Sequence, residues 1–263
     1  MKKTVLFTAV PALLFGTDTA PSANPLVTHT ELSYVQTQGN TDTTAFSLDF
    51  NGKKGWAAHS VKLHADALYG TENSLENKNK LFGELNYDWQ FAKHIALNYV
   101  TGYKDDKFSG FDYQFYTGPG AKVIVLDQKP FALDFQGNVL YSIDQGMKKY
   151  YDTNGTEVPY PYPDGTAALT KVAGDYSNYW GYMIKGSFGW IITEGFKFIE
   201  EASYRSDFEQ PDNYFVYAKT ALESKINSTF SMGVSYKLDY TNLPPEGNER
   251  TDTTFMTSLI IDY

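Results

Sequence analysis

Apolar and polar residues alternate along most of this chain. The clearest run covers residues 230–240, where every second side chain is apolar and those between are small or polar. The apolar set is Phe230, Met232, Val234, Tyr236, Leu238 and Tyr240. A period of two places the two sets on opposite faces of a β-strand. The run suits a tilted strand crossing a bilayer, roughly 9–11 residues, better than a mean globular strand of about 5–6 residues.

The same alternation, interrupted by turn residues, predicts about twelve strands. They span 30–38, 42–51, 56–70, 80–90, 94–106, 111–126, 131–145, 175–191, 196–209, 213–223, 227–241 and 249–263. One set of connections is short: 51–55, 91–93, 127–130, 193–195 and 224–226. The other set contains the long ones: 71–79, 146–174 and 242–248. Since outer-membrane barrels have short periplasmic turns and longer external loops, we predict an all-β, closed antiparallel transmembrane β-barrel with both termini periplasmic. A soluble lipocalin-like barrel or sandwich is the alternative architecture.

The last strand carries a further signal. Apolar residues occupy the final, third, fifth and ninth positions from the end: Tyr263, Ile261, Leu259 and Phe255. This pattern resembles the terminal recognition strand of bacterial outer-membrane barrels. The resemblance implies an outer-membrane location and an assembly signal read by the barrel-assembly machinery. The expected surroundings are a lipid bilayer with a lipopolysaccharide-type outer leaflet.

The first residues have the order of a secretory signal. Lys2 and Lys3 precede the apolar stretch 5–15, and small residues follow it. A charged, then apolar, then small order is typical of signal peptides. We therefore predict a signal peptide over residues 1–23, with Ala20 and Ala23 as candidate cleavage positions, and a barrel over 24–263.

The first predicted hairpin, residues 31–44, carries a family resemblance. Its turn reads Thr-Gln-Gly-Asn-Thr-Asp from Thr37 to Asp42, and Gly39 and Asn40 tolerate the positive φ of a tight hairpin. The segment resembles the opening of the YdiY-like family of salt-induced outer-membrane proteins, whose barrel domain has no assigned function. The resemblance implies an outer-membrane barrel and a link to osmotic stress, but no substrate.

Composition and motifs exclude several functions. The formal net charge of −9 argues against nucleic acid, which requires a basic surface. The four histidines, His29, His59, His64 and His94, lie in no His-x-Ser-Asn or His-Glu-x-x-His motif. His64 has no second histidine or cysteine at a ligand spacing. We therefore predict no catalytic activity, no cofactor and no metal.

Polar residues on the inner faces of the predicted strands are candidates to line the lumen. They are Lys62, His64, Asp66, Glu84, Asp88, Asp134, Lys237 and Asp239. Acidic residues outnumber basic ones in this set, and carboxylate rings favour cations. A narrow, weakly cation-preferring pore is the expectation. The adjacent Glu200 and Glu201 cannot both face the lumen in a regular strand, and the sequence does not decide their orientation.

The longest loop, 146–174, is rich in tyrosine and proline. Its aromatic candidates are Tyr150, Tyr151, Tyr160 and Tyr162. The loop can fold into the mouth as a constriction or stand outside as a contact surface. Two main hypotheses follow: a narrow passive channel for ions or small solutes, and a non-conducting structural or adhesive barrel acting through this loop. An outer-membrane enzyme is a third. An open lumen favours the channel, and a lumen filled by side chains favours the second hypothesis.

Overall fold

The computed structural model describes residues 25–38, 42–158 and 170–263. Twelve long strands form the body of the protein, and three short strands lie between the seventh and eighth of them. The long strands are β1 (Val27–Thr37), β2 (Thr43–Trp56), β3 (His59–Glu72), β4 (Leu75–Ala92), β5 (Ile95–Asp106), β6 (Phe111–Gln128), β7 (Phe131–Gly146), β11 (Tyr176–Thr193), β12 (Phe196–Asp207), β13 (Tyr214–Lys225), β14 (Phe230–Thr241) and β15 (Thr251–Asp262). The short ones are β8 (Lys149–Tyr151), β9 (Glu157–Val158) and β10 (Thr170–Val172).

The long strands form one closed barrel. Their order around the wall is β1-β15-β14-β13-β12-β11-β7-β6-β5-β4-β3-β2, and neighbouring strands are antiparallel. Closure removes the exposed edges that an open sheet of this size would carry. The predicted fold class and strand count are confirmed, and each predicted span overlaps one observed strand.

The closing seam between β1 and β15 is short. Four residue pairs join these strands, from His29–Asp262 to Leu32–Leu259. The other two pairings of the terminal strands are much longer: β1 pairs with β2 from Val27–Lys53 to Thr37–Thr43, and β14 pairs with β15 from Phe230–Ile261 to Tyr240–Thr251. The seam is therefore the least extensively paired boundary of the barrel wall.

The two ends of the barrel differ. At the end where β1 begins and β15 ends, called here the terminal end, turns such as Ala57-Ala58 and Lys129-Pro130 join the strands. The opposite end, called the loop end, carries the longer connections between β7 and β11 and between β14 and β15. The predicted periplasmic position of the terminal end stays a prediction.

Two predicted connections are wrong. The predicted turn at 51–55 lies within β2, which continues to Trp56 before turning. The predicted long loop 71–79 is a tight turn at Asn73 and Ser74, with φ of 49° and 66°. Two consecutive positive φ values are the signature of a type I′ hairpin, which lets β3 and β4 pair almost to the turn. The ends of β3 and β4 in this segment are polar and extend beyond the apolar region, so their sequence resembles that of a loop.

The outer face of the wall is apolar. Leu85, Leu97, Phe135, Ile184 and Leu259 are each more than two fifths exposed. Rings cluster outside near the terminal end, where Trp56, Tyr87 and Trp89 stack around His59 at 5.9, 5.9 and 6.4 Å. A second outer group lies toward the loop end and comprises Tyr182, Tyr204, Tyr214 and Tyr240.

An apolar belt between aromatic girdles on a closed barrel is the arrangement of outer-membrane barrels. None of the described residues belongs to a helix long and apolar enough to cross a membrane. The protein is an outer-membrane β-barrel in contact with the lipid bilayer.

The structure also decides the orientation of the two adjacent glutamates. Glu201 points inward and its carboxylate lies 3.6 Å from the Lys62 ammonium. Glu200 points outward, where its carboxylate accepts a 2.7 Å hydrogen bond from the Thr220 hydroxyl on β13. The strand alternates regularly here, so no bulge is needed, and the Thr220 hydroxyl partly compensates a carboxylate in the lipid belt.

Candidate functional site

The lumen contains the chemistry of this protein. All eight candidate lining residues lie on the inner face, as the parity of their strands requires. His64, Asp66, Glu84 and Lys237 are almost completely buried there. Lys62, Asp88, Asp134 and Asp239 lie on the same inner faces but retain more exposure. The Asp88 carboxylate accepts a 2.9 Å hydrogen bond from the Lys122 ammonium on β6.

A dense ion-pair cluster lies inside the barrel near the middle of its strands. We call it the wall network; its members are Glu31, Asp49, Asp66, Lys219 and Lys237. The carboxylate of Asp49 contacts the ammonium groups of Lys219 and Lys237 at 3.0 and 2.9 Å. Lys237 also pairs with Asp66, and Lys219 with Glu31. His64 lies 3.3 Å from Asp49. The cluster thus brings acidic and basic side chains into direct contact with one another.

A second cluster crosses the lumen. We call it the cross-lumen bridge; its members are Lys80 on β4, Lys104 on β5 and Asp239 on β14. The Asp239 carboxylate contacts the two ammonium groups at 2.8 and 3.2 Å. In the twelve-strand order β5 and β14 are six positions apart, so Lys104 and Asp239 come from opposite walls. The pair Lys62–Glu201 joins β3 to β12, which are also opposite.

An arginine lies between two rings nearer the loop end. The Arg205 guanidinium lies 4.3 Å from the ring centroid of Phe215 and 5.1 Å from that of Tyr116. The Tyr116 hydroxyl donates a 2.6 Å hydrogen bond to Glu84, and Glu84 contacts Lys185 at 2.8 Å. Stacked rings and charge-assisted hydrogen bonds thereby hold side chains from five strands in one layer.

Gly102 makes this layer possible. A Cβ atom at Gly102 would lie 2.1 Å from Cζ of Tyr116. Because Gly102 has no side chain, the Tyr116 ring can occupy the space beside β5 and lie across the lumen. The ring also joins a small apolar group inside the barrel with Val100, Leu140 and Met183.

A cavity of about 110 Å³ lies between the cross-lumen bridge and the arginine layer. Among the described residues, its lining contains four acidic side chains (Asp66, Glu84, Glu201, Asp239) and four basic ones (Lys80, Lys104, Lys185, Arg205). A water molecule needs only about 10–15 Å³ by this measure, so the cavity has room for several. The arrangement therefore offers a space large enough for water and lined by equal numbers of acidic and basic side chains.

Several functional residues were missed from the sequence. Lys80, Lys104, Lys185, Arg205 and Lys219 all point inward, and strand parity alone could have identified them. Inward acidic residues such as Glu31, Asp49 and Glu223 were missed as well. The lining of the cavity itself contains equal numbers of acidic and basic side chains.

A scan against protein-family models gives the family. The model described as "Protein of unknown function, DUF481" matches residues 30–263. The chain belongs to this family. The YdiY-like family is of the DUF481 kind, so the resemblance read from the first hairpin is confirmed. No curated protein matches the chain in sequence.

Solved structures similar to this DUF481 chain are barrels of low sequence identity. The NanC porin is 12% identical, with 90% of this chain and 97% of that chain covered and a TM-score of 0.42. The translocator domain of the autotransporter NalP from Neisseria meningitidis is 9% identical, with 90% and 86% covered and a TM-score of 0.48. The KdgM porin is 7% identical, with 91% and 98% covered and a TM-score of 0.41. Nothing about the function of this chain follows from likenesses this distant.

The remaining predicted residues of the DUF481 barrel lie in the connection between β7 and β11 and on the last strand. Tyr150 and Tyr151 belong to β8, which pairs with β9 and β10 in a small sheet outside the wall. Tyr160 and Tyr162 lie outside the described residues, as do the predicted signal peptide, Gly39 and Asn40. On the last strand, Phe255 and Leu259 point outward, and Tyr263 is almost fully exposed.

Proposed function

We propose that this barrel is a narrow passive channel for ions or small solutes, closed in the described conformation by side chains. The observation that carries the proposal is the cross-lumen bridge, which joins opposite walls through the ends of flexible lysine side chains. Twelve strands lie between the roughly eight that side chains fill and the 16–18 that leave a wide aqueous channel. Side chains therefore decide whether such a lumen is open.

The energetics favour a movable closure over a purely structural filling. Replacing buried ion pairs by well-packed apolar residues is often neutral or stabilising. A barrel that needed only a filled interior would gain little from so many charges. Lysines that release Asp239 can lie along their own wall and leave a hydrated path lined by both signs of charge. We therefore expect weak ion selectivity.

The second candidate is a non-conducting structural or adhesive barrel acting through loop 146–174. The closed lumen favours it, and so does the small sheet that β8, β9 and β10 form outside the wall. On this hypothesis the ion pairs are permanent and no variant of the lumen conducts.

Other parts of the proposal rest on the sequence. We propose that the terminal strand is read by the barrel-assembly machinery, that the loop end faces a lipopolysaccharide-type leaflet, and that the protein has no catalytic activity. The link to osmotic stress rests on the family resemblance. Measuring the protein's abundance after a salt upshift in the native host tests that link.

Planar-bilayer recording tests the channel. We expect rare, small conductance steps from the wild-type protein and frequent ones from the double variant Lys80→Gln/Lys104→Gln, because Asp239 then loses both cationic partners. The matched control is Lys93→Gln/Lys129→Gln, which removes two exposed lysines from terminal-end turns and should behave like wild type. Silence from the folded wild type and from the lumen variant would favour the non-conducting barrel.

A further inference from the structure

Three side chains from the barrel wall converge inside the terminal end, away from the cross-lumen bridge. His29 and Glu31 come from β1, and Glu223 comes from β13, three strands away across the closing seam. One ligand-type atom from each lies within 4.8 Å of the others. The distances from His29 Nε2 to Glu31 Oε1 and Glu223 Oε1 are 3.4 and 3.5 Å. Glu31 and Glu223 are buried, whereas His29 retains some exposure.

Asp262 fixes the orientation of the histidine. Its carboxylate lies 2.8 Å from His29 Nδ1, and an ionised carboxylate only accepts hydrogen bonds. In a neutral His29, Nδ1 is therefore the protonated nitrogen. Nε2 then directs its lone pair toward the two glutamates. A carboxylate that orients a histidine in this way is the usual partner of a metal-binding imidazole.

Three such atoms this close need a positive charge among them, which either a proton on Nε2 or a bound cation supplies. A hydrogen bond from a protonated Nε2 to Glu31 would be long, at 3.4 Å, against a usual range of about 2.7–3.2 Å. The two distances from Nε2, 3.4 and 3.5 Å, also match the separation of about 3.4 Å between ligands that each lie about 2.1 Å from a tetrahedral Zn²⁺. In addition, Glu223 Oε1 is buried and has no hydrogen-bond partner among the described residues.

We propose that His29, Glu31 and Glu223 bind a divalent cation of the zinc class, with water as a fourth ligand. Imidazole and carboxylate together suit Zn²⁺. The Lys219 ammonium also contacts Glu31, at 2.5 Å. When Glu31 binds the cation, Lys219 loses this contact and keeps its ion pair with Asp49, 3.0 Å away. A surface pocket bordered by Glu223 and Asp262 gives access from the terminal end. The bound ion ties β1 to β13 and so reinforces the short β1–β15 seam.

Titration calorimetry of the refolded barrel with Zn²⁺ alone tests the site. We expect one ion per barrel in the wild type, and a loss of affinity of at least about tenfold in His29→Ala and Glu223→Gln. The control His94→Ala removes another histidine at the terminal end and should bind normally. Asp262→Asn changes a partly exposed residue, leaves the three ligands in place and should weaken binding by about 10- to 100-fold.

A second readout separates a specific site from loose binding. Zn²⁺ bound to the native barrel raises its unfolding temperature by mass action, and this rise should vanish in His29→Ala. The heat-dependent shift on detergent gels verifies that each variant has folded. No Zn²⁺ binding by the wild type would show that a protonated His29 holds the two carboxylates. Unchanged binding by His29→Ala and Glu223→Gln, or loss in His94→Ala, would also overturn the site.

Discussion

The wall network and the cross-lumen bridge use the same ion pairs in different settings. Side chains of the wall network are 1–8% exposed and join strands three or four positions apart. Those of the bridge are 13–26% exposed and join strands five or six positions apart, beside a cavity. Removing one partner of a buried ion pair is costly because the remaining charge stays buried, and this cost falls as the pair becomes more exposed to solvent. We therefore expect the ion pairs of the bridge to separate more easily than those of the wall network.

The largest expected effect comes from breaking the wall network. Asp49→Asn leaves Lys219 and Lys237 without their shared carboxylate, so we expect the free energy of unfolding to fall by about 3–5 kcal/mol. Asp239→Asn makes the same chemical change in the bridge, where we expect a smaller loss because these side chains keep more exposure. Urea titration of both variants in the same lipid or detergent measures the difference. Equal losses would erase the distinction between the two regions.

Gly102→Ala has a smaller effect and probes how the loop-end layer is packed. The new methyl group displaces the Tyr116 ring, which weakens its hydrogen bond to Glu84 and its contact with Arg205. We expect a loss of about 1–3 kcal/mol, typical of overpacking. Gly83→Ala is the matched control, since a Cβ there meets nothing within 4 Å. Equal stability of Gly102→Ala and Gly83→Ala would show that the position of the Tyr116 ring does not depend on the missing side chain at Gly102.

The strands could be predicted because the alternation of apolar and polar residues shows which face of the strand each side chain lies on. The same parity correctly assigned Lys62, Asp66 and Lys237 to the inner face. Ion-pair partners could not be predicted, since the contact between Lys104 and Asp239 depends on strand order and barrel width. The turn at Asn73-Ser74 was missed because it contains no glycine. The convergence of His29 and Glu223 was also hidden, because it depends on the register of pairing across the closing seam, which alternation does not give.

Reversible locking of the cross-lumen bridge tests the central claim most directly. The chain contains no cysteine, so Lys104→Cys/Asp239→Cys introduces the only two thiols. Conductance is recorded before and after reaction with a reducible bis-thiol linker, and again after reduction. Each single-cysteine variant, treated in the same way, controls for blockage by a reagent attached at one end.

We predict frequent conductance steps from the unlinked double variant, because the bridge is absent. The steps should disappear when opposite walls are joined and return after reduction. Single-cysteine variants should keep conducting throughout. A folded double variant that is silent in all states, or one that conducts equally when linked and unlinked, would contradict closure of a channel by this bridge.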